Sequence, residues 1–216
     1  MRSAQKGFTL VEIAIVLVII GLLLGGILKG QEMITQAKIK NLIGDFTGIA
    51  AAYHGYQDRY RAMPGDDPNA NTRWATAPAA VQGDGNNVVG GLYNSTTDTD
   101  ESRKWWDHLR RAGFVAGTAY TQPLNATSGI VGVQTGNGAA TPAAALGGLF
   151  GLLVCSSNVP DKVAIAVDNQ LDNDDSRTGN LRGQKQTTSS PAIAGTADIT
   201  NYEETGTNTY VLCRQM

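Results

Sequence analysis

One carboxylate stands alone in a long apolar run. From Phe8 to Leu28 the 216-residue chain has 21 residues whose only ionisable side chain is Glu12. A carboxylate inside a membrane-spanning helix costs about 2.5–3.5 kcal/mol on insertion scales unless something relieves it. Either Glu12 has a partner, or it lies near enough to the cytoplasmic face to reach headgroups and water. The remaining reactive residues are few: His54 and His108 are the only histidines, and Cys155 and Cys213 the only cysteines. The chain has no G-x-S-x-G, H-E-x-x-H or P-loop pattern, and two histidines do not complete a zinc site. No catalytic constellation survives, so no enzyme and no organic cofactor is expected. A formal net charge of -2 gives no electrostatic case for nucleic acid.

The elements that must position Glu12 follow from the pattern around it. A helix over Phe8–Leu28 would be about 31 Å long, matching a hydrocarbon core of about 30 Å. Arg2 and Lys6 supply a basic start, yet the apolar run begins directly after Gly7 and ends without an A-x-A-like site, so ordinary signal-peptide cleavage is not expected. Beyond Leu28, the residues Leu42, Phe46, Ile49, Tyr53, Tyr56 and Tyr60 recur in steps of four and three, which predicts one helical stripe running to about Arg61. Met63-Pro64-Gly65 should break it. Such a helix would be roughly 80 Å long, half in an apolar medium and half packed on a head. Gly21 with Gly25 and Gly26 with Gly30 permit close helix approach in that medium, and are equally points where a helix could unwind.

The residues Lys6-Gly7-Phe8-Thr9-Leu10-Val11-Glu12 resemble the processing motif of type IV prepilins and type II secretion pseudopilins. The resemblance implies cleavage by prepilin peptidase between Gly7 and Phe8, N-methylation of Phe8, and pairing of Glu12 with the terminal amine of a neighbouring subunit during assembly. It implies a structural filament subunit, held in the bacterial inner membrane with its head in the periplasm, then assembled with other pilin or pseudopilin subunits into a pseudopilus or a surface pilus. The chain would divide into a leader (1–7), a transmembrane or filament-core helix (8–28), the amphipathic half of the long helix (29–62) and a head (63–216). Major type IV pilins commonly carry a proline near the end of the apolar segment, whereas none precedes Pro64 here, which favours a pseudopilin or minor pilin. Retention of Glu12 argues, by the same resemblance, against a tip pseudopilin. The alternative from another class is a monomeric, membrane-anchored binding module.

The head should be α+β, a small antiparallel sheet packed on the long helix. Residues 64–97 are rich in turn signals. A helix is expected over Asp100–Ala112, with Asp98 and Glu101 as a capping box and Trp105 and Trp106 as core anchors rather than a binding platform. Leu149–Ser156, Lys162–Asp168 and Asn208–Arg214 are expected strands. Glu101–Gly117 and Pro160–Gly183 also look similar to parts of prepilin-like proteins, less specifically. With the head outside the cytoplasm, Cys155 and Cys213 should form a disulfide. Asp168, Asp172, Asp174 and Asp175 offer hard oxygen ligands where major pseudopilins hold calcium; the loop positions for Gly and a terminal Glu are unmet, so calcium at Asp172, Asp174 and Asp175 stands against a solvated turn.

Overall fold

The computed structural model describes residues 7–136, 146, 148–193 and 200–216. The chain divides into two compact units, Met1–Ala37 and Lys38–Met216. One helix, α1 (Leu10–Tyr60), runs from the first into the second. It continues through Gly21, Gly25, Gly26 and Gly30 without interruption. It ends one residue short of the expected stop, with Arg61 in the left-handed region at φ 54° and its N–H still donating to the Gln57 carbonyl. Among the described residues, the remaining elements are α2 (Ala70–Arg73), α3 (Glu101–Arg111), β1 (Val131–Thr135), β2 (Leu152–Pro160), α4 (Asp161–Leu171), β3 (Leu181–Lys185) and β4 (Thr209–Gln215).

The four strands form one antiparallel sheet in the order β1-β2-β4-β3. Alternation along each strand divides the core in two. Val131, Val133, Leu152, Val154, Tyr210 and Leu212 face a layer built from the apolar stripe of α1, the tryptophans of α3 and Val163, Ala164 and Val167 of α4. Leu153, Cys155, Val211 and Cys213 point the other way, against Tyr93, Leu146 and Leu149. The α1 stripe is Ile39, Leu42, Phe46, Ile49, Tyr53 and Tyr56, with Ala52 filling the gap. Tyr60, expected to be part of it, lies half-buried at the rim with the Arg73 guanidinium 4.3 Å from its ring centre. Trp105 and Trp106 are fully buried, and Trp105 stacks on Tyr53 at 5.4 Å. Each fully buried apolar side chain of this size contributes roughly 1.5–3 kcal/mol.

Cys155 and Cys213 face each other across the β2–β4 ladder and are joined by a disulfide. The ladder shifts register between Ser156 and Val159, where Asn158 takes φ 57°. A second clamp binds the 64–90 loop to α3. His108 is fully buried, its Nδ1 accepting the Gly65 N–H at 2.9 Å and its Nε2 lying 2.9 Å from the Val81 carbonyl. Gly65 sits at φ 81° and a Cβ there would run into the Glu101 carbonyl, so this close approach of loop to helix needs glycine.

Two expectations are corrected. Lys162–Asp168 belongs to α4 rather than to a strand. Its buried residues are Val163, Ala164, Val167 and Asp168, the spacing of a helical face and not the alternation of a strand. The alanines favour helix, and Pro160-Asp161 supplies a start that the β-branched content obscured. Asp98 and Glu101 do not form a capping box. Asp100 is the N-cap of α3, Asp98 pairs with Arg103 at 2.7 Å, and Glu101 accepts the N–H groups of Asp84 and Gly90.

Candidate functional site: the start of the long helix

Gly7, Phe8 and Thr9 precede α1 in non-helical backbone, and residues 1–6, including Arg2 and Lys6, lie outside the described residues. The helix opens with a reciprocal cap. The Thr9 N–H donates to the Glu12 carboxylate at 2.8 Å, and the Thr9 hydroxyl donates to the same oxygen at 2.7 Å. In the other direction, the Glu12 N–H reaches the Thr9 hydroxyl at 3.3 Å. Thr9 is thus the N-cap and Glu12 the third residue of the helix, an arrangement that satisfies otherwise orphaned donors and sets a negative charge at the positive end of the helix dipole. The sequence signal for this cap is T-x-x-E at Thr9-Leu10-Val11-Glu12, hidden because the cleavage motif covers the same residues.

From Phe8 to Leu28 every described side chain is exposed, Phe8 by 84% and Leu10 by 86%. A helix apolar on all sides has no face that belongs in water. α1 is long and apolar enough near the N-terminus to cross a membrane. The model of the family described as the prokaryotic N-terminal methylation motif matches residues 2–28.

The chain carries the methylation motif of type IV pilins and pseudopilins.

No curated protein and no solved structure matches the chain. The long apolar helix with a small four-stranded antiparallel sheet is a pilin-like α+β architecture. The motif implies, in general, processing by prepilin peptidase and assembly with other pilin subunits. Together with the apolar helix it fits membrane anchoring before assembly. It points to a structural rather than a catalytic protein.

The acidic residues of the sheet unit are distributed differently from the sequence pattern. Asp168 is buried and accepts the Tyr202 hydroxyl at 2.7 Å and the N–H groups of Asn173 and Asp174. Asp172 accepts the Leu181 N–H, and Asp175 is held by Arg177. Asp174 is exposed at φ 64°. Among the described residues, the carboxylates gathered within 4.8 Å of one another are instead those of Asp66, Asp84 and Glu101. Asp66 accepts the N–H groups of Gly85, Asn86 and Asn87. With Glu101 on Asp84 and Gly90, these carboxylates pin the 83–90 loop to the start of α3. Burial raises the Asp66 carboxyl above its ordinary range, and Asp84 and Glu101 add to that, against the loop N–H groups that lower it.

Proposed function

We propose that this chain is a structural subunit of a type IV pilus or type II secretion pseudopilus. Prepilin peptidase cuts it between Gly7 and Phe8, the new Phe8 amine is methylated, and the subunit assembles through its N-terminal helix. The match of residues 2–28 to the methylation motif carries this proposal. The non-helical backbone at Gly7–Thr9 supports it, because a peptidase takes extended chain and the bond lies just ahead of the helix.

Glu12 has two roles in this scheme. In the single subunit its carboxylate is held by Thr9, which offsets part of the cost of lying in an apolar medium. In the filament it pairs with the Phe8 amine of a neighbour, which stays cationic after methylation and compensates a buried carboxylate. Before assembly the head lies in the periplasm.

The deciding experiment is the N-terminal mass of the membrane-extracted chain from hosts with and without prepilin peptidase. A peptidase-dependent start at methylated Phe8 is expected. A leader retained in both hosts would overturn the proposal in favour of a monomeric anchored binding module.

A further inference from the structure

Beside the second half of α1 lies an open cleft of about 320 Å³. Gly44, Asp45 and Gly48 form its floor, and Trp106, Phe114 and Leu124 line its walls. Nothing stands within 4 Å of a Cβ placed on Gly44 or Gly48, and Leu124 is 71% exposed. At this apolar site Asp45 is half-buried, and its carboxylate has no hydrogen-bond or ion-pair partner among the described residues. Burial raises its carboxyl above the ordinary range, a strain that an incoming cation would relieve.

We propose that this cleft is a contact between subunits, in which a second copy of this chain lays the Lys40 stem against Phe114 and Leu124 and sets its ammonium on the Asp45 carboxylate. The inference rests on the filament proposal and adds to it a specific surface. The volume suits one long side chain and not a helix. An acid among aromatic rings selects a cation with an aliphatic stem.

Lys40 has the matching properties. It is exposed on α1, and its ammonium has no hydrogen-bond or ion-pair partner among the described residues. Five residues separate it from Asp45, which places the two about 140° apart around the helix and about 7.5 Å apart along it. They cannot meet within one chain. In neighbouring parallel helices, however, nearly opposite flanks face each other, so the cation of one copy can meet the acid of the next after a small axial shift. Lys38, seven residues from Asp45, lies on nearly the same flank and is not presented in that way. A contact between two different patches is heterologous and, where its rotation does not close a ring, propagates as a filament.

The test uses the full chain in a host carrying prepilin peptidase and a filament assembly system. Asp45→Cys and Lys40→Cys are placed on two differently tagged copies and treated with a short bismaleimide. Because the native cysteines are bonded to each other, the introduced thiols are the ones available. A mixed-tag dimer is expected when the two variants are co-expressed, and none when either is expressed alone. In parallel, Asp45→Lys and Lys40→Asp should each reduce sheared filament by about tenfold, and the double exchange should restore it to within about twofold. Filaments formed by the unsubstituted chain, with no mixed-tag dimer and no restoration, would overturn the contact and leave the filament proposal standing. Failure of the unsubstituted chain to be processed at Phe8 or to form filaments would overturn both.

Discussion

The Gly65 N–H donates to Nδ1 of His108 at 2.9 Å, and this fixes the protonation state of a fully buried imidazole. With Nδ1 accepting, the ring is neutral and Nε2–H donates to the Val81 carbonyl. Burial lowers the pKa below the ordinary histidine value, against the Val81 bond and the nearby Asp67 and Asp107 charges that work upward.

The sign of the resulting pH dependence follows. The unfolded chain takes up the proton at about pH 6.5 and the folded chain only at lower pH, so the contribution of His108 is present above about 6.5 and is lost as pH falls toward the folded value. The melting temperature of the detergent-solubilised chain should drop between pH 7.5 and 5.5. His108→Gln should be less stable by about 2 kcal/mol at pH 7.5 and should flatten that slope. An unchanged slope in the variant would assign the acid sensitivity to another group.

Asp67 is a further buried clamp. Its carboxylate accepts the Tyr56 hydroxyl at 2.7 Å and pairs with Arg73. Burial pushes its pKa up, but these two partners and the Asn69 N–H outweigh it and hold the carboxyl below the ordinary range. Asp67→Ala should cost about 3 kcal/mol in urea unfolding, since it strands a hydroxyl and a largely buried guanidinium. Tyr56→Phe, which removes one bond, should cost about 1 kcal/mol.

Thr9→Val removes the helix cap without adding bulk. A cap of this kind is worth about 1 kcal/mol, so amide exchange at Glu12 and Ile13 in micelles should speed up by about fivefold. Cleavage after Gly7 should persist, because the residues flanking the bond are unchanged. Equal exchange rates in the two chains would show that the helix start is held by other means.

Replacing Cys155 and Cys213 together by alanine opens a link between residues 58 positions apart. The chain-entropy relation predicts a loss of about 4 kcal/mol. Because the pair sits face to face on β2 and β4, the loss should appear as faster exchange along both strands, with the α1 stripe less affected.

Much of this architecture could be read from residue order. The stripe from Leu42 to Tyr56 and the paired tryptophans of α3 follow from helical periodicity, since a buried face repeats every three to four residues. The edge strands β1 and β3 were not legible. Their sequences, VGVQT and LRGQK, contain glycine and polar residues. What makes β1 a buried strand is remote, because Thr135 and Gln134 accept the N–H groups of Val89 and Tyr93 from a distant loop. In α4, Val163, Ile165 and Val167 imitate a strand, and only tertiary packing selects the helix. At the candidate site Gly7, Phe8 and Glu12 were marked by the motif, whereas the role of Thr9 is a matter of geometry at 2.7–2.8 Å.

β4 follows β3 in sequence but lies between β2 and β3 in the sheet. Without Thr209–Gln215, β2 keeps β1 but β3 has no partner strand among the described residues, so two of the three ladders there depend on this one strand. A chain without β4 would expose the facing edges of β2 and β3 together. The strand order thus makes β4 a keystone, whose loss leaves the backbone groups of both its neighbours unpaired along those edges.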